Sequence, residues 1–451
     1  MKQFIWTALI AVLFGTACSA EQEKEIKPTQ FSVQLSVADS IDQTGDFSGF
    51  EVLVFSRTNP SAAADTVFYG TTDSTGSLKG VITIEQEGAF PVQITRNGVN
   101  LGALRILLAG GDTVHVKGEF PEFEQTYSVD SREARAMKQY ERVNNGYQRT
   151  NRFIFAGQIA DSLIPVELQK WVDLFWLVHQ DQKGTFASKF ALESTIDLLS
   201  RFDQAQMFEK LNQSFEEDLA FGLAITVGKQ YVAGLKGLEA SVAYMDSVKD
   251  LTKNKEIHQA IEQSVIKLYF DSARVELARE LFSEFESDYI KKEEEPSFWY
   301  KNMRFELTYL APGMELPPFE IITTEGDTVN NQSMMGTAYI LEFTLMANTL
   351  YQQQYDEATV IYQLYNPQGL EYYTIPFDQS SNTIIAFFQE RDRFWELADP
   401  PSFNKKDFVE DFNVQYFPTR ILVDKEGNIV RKFVGEEFED MIPSITETLK
   451  K

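Results

Sequence analysis

One cysteine, three histidines and a carboxylate inside an apolar run are the residues of this chain that could carry side-chain chemistry. Cys18 is the only cysteine among 451 residues. A lone cysteine excludes an intrachain disulfide and any reaction that needs a dithiol. His115, His179 and His258 lie far apart and show no metal-ligand spacing. Each reads as a surface or satisfied residue. A hydrolase would need a nucleophile beside a base, or a metal cluster, and no such constellation is legible. The expectation is no catalytic residue, no metal and no cofactor. Glu342 stands in the apolar run AYILEFT (338–344). A carboxylate placed there is expected to pair with a neighbouring Lys or Arg.

The elements that must position these groups fill a chain long enough for two or three domains. Hydrophobic residues make up 43% and charged residues 24%, which is globular composition. The formal net charge is −26. That balance argues against nucleic acid or an anionic membrane surface as the partner.

Residues 1–17 read MKQFIWTALIAVLFGTA: a basic residue, an apolar run and then small residues. This is a signal peptide, too short to span a membrane comfortably. Gly15-Thr16-Ala17-Cys18 resembles a bacterial lipobox, with residues 18–30 as a polar tether. That resemblance implies acylation of Cys18 and a stable membrane anchor. The alternative is cleavage nearby, with Cys18 discarded. The segment SAEQEKE (19–25) is similar to the acidic export signal of surface lipoproteins in the Bacteroidota. The implied location is an outer-membrane lipoprotein, periplasm-facing or at the cell surface.

Residues 31–125 carry short alternating runs, such as Phe31, Val33, Leu35 and Val37, with turn signals between them. A spacing of about 8–12 residues predicts a small antiparallel β-sandwich. The layout resembles the N-terminal β-domain of unknown function found in Bacteroidota lipoproteins. Residues 126–304 form an all-α middle. No proline occurs from Val166 to Glu295, and apolar residues recur at helical spacing, with breaks expected near Gly184, Arg201–Asp203, Gly234–Gly237 and Lys253–Lys255. This middle reads as a plain bundle or as a docking surface.

Residues 305–451 open with Ala311-Pro312-Gly313-Met314-Glu315-Leu316-Pro317-Pro318-Phe319. The apolar strand 338–343 follows, then a helix start in which Thr349 and Gln352 have the form of a capping box. Asn413 to Val430 contains a Phe417-Pro418-Thr419 step, an apolar strand, an Asp424-x-x-Gly427 turn and a second strand. These three ordered motifs resemble the membrane-anchored thioredoxin-like and peroxiredoxin-like proteins. The resemblance implies a multidomain α+β chain that ends in an α/β thioredoxin-like domain, with Pro418 as its cis-proline.

The same resemblance puts Asn348 at the nucleophilic cysteine and Tyr351 at the resolving one. Neither side chain forms a thiolate, and thiol–disulfide exchange needs one. What remains of the family's machinery is the groove beside the cis-proline, where an extended peptide adds as a strand. Asn348, Tyr351, Phe417 and Pro418 are expected to line it. It is either a working peptide site or a corner kept only by packing. The functional expectation is a membrane-anchored, redox-inactive lipoprotein that binds or scaffolds an envelope protein or extended peptide. The alternative is an enzyme of the thiol-disulfide oxidoreductase family with a non-thiol activity.

Overall fold

The computed structural model describes residues 27–41, 43–56, 65–291, 295–389 and 391–450. The expected signal peptide, most of the expected tether and Cys18 lie outside them. The chain divides into two compact units, one ending at Tyr231 and the other beginning at Val232. The helical stretch 126–304 is therefore shared between the two.

The first unit begins with eight strands: β1 (Thr29–Val37), β2 (Phe50–Ser56), β3 (Asp65–Thr71), β4 (Ser77–Ile82), β5 (Gly88–Arg96), β6 (Val99–Leu108), β7 (Thr113–Phe120) and β8 (Ser128–Asp130). They form two four-stranded sheets, ordered β4-β1-β7-β8 and β3-β2-β5-β6. Alternation puts Phe31, Val33 and Leu35 of β1 inside, with Phe50, Val52, Val54, Val114 and Val116. The expectation of an antiparallel sandwich needs correction, because β1 and β7 pair in parallel from Gln30↔Thr113 to Val37↔Phe120. Alternating burial records which face a side chain takes, not the direction of the neighbouring strand. A parallel pair needs a long crossover, and β2 to β6 supply it. Helix α1 (Phe123–Thr126) closes the module. Its Phe123 ring fills the space left by Gly102 and Gly118, where a Cβ would stand 2.5 and 2.4 Å from ring carbons.

Helices α2 (Arg132–Phe155), α3 (Ile164–Asp181), α4 (Phe186–Phe202), α5 (Gln204–Asn212), α6 (Asp218–Leu223) and α7 (Lys229–Lys236) follow, α7 spanning the divide. Side chains cap several starts: Ser131 for α2, Thr185 for α4 and Asp203 for α5. Gly184 and Gly237 take positive φ at two of the expected breaks.

The second unit continues with α8 (Leu238–Lys249), α9 (Lys255–Asp271), α10 (Val275–Tyr289) and α11 (Phe298–Tyr309). A small hairpin, β9 (Glu320–Ile322) and β10 (Thr328–Asn330), precedes β11 (Ala338–Thr344), α12 (Thr349–Tyr365), β12 (Leu370–Pro376), α13 (Ser381–Gln389), β13 (Glu396–Leu397), α14 (Lys405–Asp411), β14 (Thr419–Val423), β15 (Ile429–Val434) and α15 (Met441–Lys450). The sheet order is β13-β12-β11-β14-β15. β11 runs parallel to β12 and antiparallel to β14. This is the thioredoxin-like arrangement that the motifs imply.

Every residue of β11 is buried, because both sheet faces are covered, as the unbroken apolar run predicts. Tyr339, Leu341 and Phe343 pack with Phe319, Phe408 and Phe412 on one face. Ala338 and Ile340 pack with Tyr351, Tyr355, Trp395 and Met441 on the other. Period two puts Glu342 on this second face, beneath α12.

Helix α11 is fastened to the sheet by polar contacts as well as apolar ones. Lys432 of β15 pairs with Glu306 of α11, both nearly buried, and Asn413 donates to Glu306 Oε1 at 2.8 Å. Desolvation pulls the Lys432 ammonium below its usual range, and the Glu306 charge opposes that.

Candidate functional site

The site forms where β11 ends and α12 begins. Asn348, not Thr349, is the N-cap of α12: its Oδ1 accepts from Tyr351 N at 3.0 Å. The expected capping box does not form, because asparagine is among the best N-caps and puts Tyr351, not a Glu or Gln, at N3. Gln352 turns elsewhere and donates Nε2 to Met346 O at 2.8 Å. Asn348 also reaches across the site, donating Nδ2 to Phe417 O at 3.1 Å. The Met346 amide donates to Asp378 Oδ2 at 2.9 Å. The turn is held from both sides.

Tyr351 does not line a groove. Its side chain is fully buried, stacked on Phe387 at 5.5 Å between ring centroids and edge-on to Tyr355 at 5.9 Å. The reason lies in the helix period. Tyr351, Tyr355 and Ala358 share the stripe of α12 that faces the sheet, and a residue on that stripe faces away from solvent. Its hydroxyl has no hydrogen-bond partner among the described residues. Burial pushes the phenol well above its ordinary range, and the Glu342 charge pushes it the same way.

The Phe417–Pro418 peptide bond is cis, but the Pro418 ring is buried too. The groove expectation therefore loses two of its four residues as contact surface. Asn348 and Phe417 remain half-buried, with the Phe417 ring 5.1 Å from Phe377. Tyr416, which sequence reasoning did not single out, is exposed beside them. The Phe417 carbonyl, a main-chain acceptor next to the cis-proline, is already engaged by Asn348.

Glu342 does find the basic partner expected of it. Arg420 stands directly opposite in the β11–β14 register, and its Nε lies 2.8 Å from Glu342 Oε1, with both side chains inaccessible to solvent. Tyr372 donates to Glu342 Oε1 at 2.9 Å and Thr374 to Oε2 at 2.7 Å. Trp395 Nε1 donates to Thr374 Oγ1 at 2.7 Å, and Arg420 Nη1 to Gln354 Oε1 at 2.9 Å. The guanidinium also lies 4.6 Å from the Phe438 ring centroid. Arg420 Nη2 has no hydrogen-bond partner among the described residues. Arg420, Gln354, Tyr372 and Thr374 were missed in the sequence. A charge in each of two apolar runs, Glu342 and Arg420, was the signal available.

This arrangement is a closed ionic cluster under the helix start. It offers no thiol, no exposed base and no opening. Among the described residues there is no group of three or more His, Cys, Asp or Glu side chains that could hold a metal. The histidines are accounted for locally. His179 is buried, with Nδ1 3.0 Å from Ser188 Oγ and 3.2 Å from Ser188 O. His258 Nε2 lies 2.8 Å from Thr252 O. His115 bonds Ser32 on an exposed sheet face.

No protein-family model matches the chain. It is similar to the thiol-disulfide oxidoreductase ResA of Bacillus cereus, with 23% identity over 131 residues that cover 29% of this chain and 73% of the relative. Among solved structures it is similar to the thioredoxin domain of a thiol-disulfide oxidoreductase from Bacteroides vulgatus. That match has 23% identity, covers 30% of this chain and 96% of the other, and has a TM-score of 0.27. A thioredoxin-family thiol:disulfide interchange protein from Chlorobium tepidum gives 16% identity, 30% and 96% coverage, and again 0.27. About 30% of the chain is thus similar to a thiol-disulfide oxidoreductase, in a chain with one cysteine.

Proposed function

We propose that the chain is a redox-inactive, membrane-anchored scaffolding component of the bacterial cell envelope, held by a lipid on Cys18. The observation that carries the reading is the filled redox corner. An N-cap asparagine and a fully buried tyrosine occupy the positions that the resemblance gives to the two cysteines. A buried carboxylate–guanidinium pair sits beneath them. Thiol exchange needs an accessible thiolate, and the sole cysteine of the sequence is Cys18.

The partner in this reading is an envelope protein, presented as an extended peptide along the surface of Tyr416, Phe417 and Asn348. Fold alone does not set activity, so the chemistry of the oxidoreductase relatives does not transfer. Insulin reduction tests the redox half: the expected rate is that of buffer, and a rate abolished by changing residues 348–351 would overturn it. In-cell crosslinking tests the other half, with wild type compared against a Tyr416→Ala, Phe417→Ala variant. Equal capture by both would remove the groove from the proposal. Labelled palmitate incorporation, lost in Cys18→Ala, tests the anchor.

A further inference from the structure

Helix α2 presents a cationic stripe to solvent. At 3.6 residues per turn, Arg135, Lys138, Arg142, Asn145, Arg149, Arg152 and Phe153 fall within an arc of about 100°, and all seven are exposed. The buried Ala136, Tyr147 and Ile154 lie on the other side of the helix. The stripe is about 25 Å long at 1.5 Å per residue. Arg135 pairs with Asp130. Among the described residues no ion pair engages Lys138, Arg142, Arg149 or Arg152. From Arg142 to Ala160 the sequence has three arginines and no acidic residue, in a chain with 67 acidic residues against 41 basic. A merely solvated helix face in so acidic a chain would mix signs; no acidic residue falls within this arc, and the exposed Glu141 lies about 20° beyond its edge.

The stripe ends in an apolar tip. Phe153 belongs to the stripe itself; Phe155 ends α2, Leu163 lies in the turn into α3 two residues after the exposed Asp161, and Val166 stands in the first turn of α3. All four are about half exposed or more, at 53%, 47%, 53% and 56%. A polyanion in water would be served by the arginines alone. Cations beside exposed aromatic and aliphatic residues suit the boundary between lipid headgroups and acyl chains.

We propose that this face of α2 and the tip after it dock on an anionic lipid surface. The arginines meet the headgroups, and Phe153, Phe155, Leu163 and Val166 enter the interface. The net charge of −26 does not prevent this contact, because charges more than a Debye length away, about 8 Å at physiological ionic strength, are largely screened. The contact is independent of any lipid on Cys18; it adds a second attachment that would orient the first unit.

The test is vesicle flotation of the full chain carrying Cys18→Ser, so that no acyl group contributes. Vesicles are phosphatidylcholine with or without phosphatidylglycerol. Flotation is expected only with phosphatidylglycerol and is reversed by high salt. Arg142→Gln, Arg149→Gln and Arg152→Gln together should lower partitioning on the order of 100-fold, at roughly fivefold per cation near an anionic surface. Phe153→Ser with Phe155→Ser should weaken binding while leaving its salt dependence in place. Unchanged circular dichroism in both variants shows that they fold. Absence of flotation, equal flotation on neutral vesicles, or full binding by the triple variant would each overturn the proposal. So would capture by a soluble acidic polymer without vesicle binding, which would reassign the stripe to a polyanion.

Discussion

Replacing Arg420 with methionine removes the cation under the α12 start while keeping most of its volume. Three hydrogen bonds go with it: to Glu342 at 2.8 Å, Tyr372 at 3.2 Å and Gln354 at 2.9 Å. Glu342 is left fully buried with only the Tyr372 and Thr374 donors. Breaking a buried pair from one side costs about 3–5 kcal/mol, because the remaining charge has no partner. Replacing both ends, as Glu342→Leu with Arg420→Met, removes the uncompensated charge. That variant should lie within about 3 kcal/mol of wild type, the residual being the Tyr372 and Thr374 hydroxyls and the Gln354 carbonyl, each left without its partner at roughly 1 kcal/mol. Hydrogen exchange of peptides spanning β11 and β14 reads the local opening free energy. The single variant should exchange about 100-fold to several-thousand-fold faster, at 1.4 kcal/mol per decade. The double variant should recover part of that. A single-variant cost below about 1 kcal/mol, or a double variant as poor as the sum of its singles, would refute the assignment of this cluster as a mutually dependent buried pair.

Tyr351→Phe removes a buried hydroxyl without a partner and should stabilise the second unit by about 1 kcal/mol; calorimetry showing a loss would mean that the phenol is engaged. Asn348→Ala should cost about 1–2 kcal/mol as a lost N-cap, and Asn348→Asp should cost less, since it keeps the acceptor and loses only the bond to Phe417 O. His179 is held below its usual pKa range by burial first, opposed by its contact with Ser188 and by the Glu217 charge. Its neutral form is favoured in the fold, so the unfolded chain binds the proton first. Stability of the first unit should fall as pH drops below about 6.5 toward the lower folded value. His179→Asn should flatten that slope in hydrogen exchange of α3 and α4, and an unchanged slope would assign the acid sensitivity to other groups.

The period of the apolar residues was enough to mark β1 and the helical character of the middle, since burying one face demands it whatever the partner, but not to divide that middle into helices α2 to α11. The absence of a dithiol was equally plain from one cysteine. The parallel pairing of β1 and β7 was not legible, because alternation is blind to strand direction. The site residues divide in the same way. Asn348 and Pro418 could be located by motif, and Tyr351 could be placed on the core stripe of α12. That this stripe would bury Tyr351 completely, and so remove it from any groove, depended on Phe387 and Tyr355 closing over it. The pairing of Glu342 with Arg420, 78 residues apart, was decided by strand register in the folded sheet. Composition determined which chemistry the chain lacks; the tertiary structure decided what fills the space, because a buried charge is tolerable only where the fold delivers its partner.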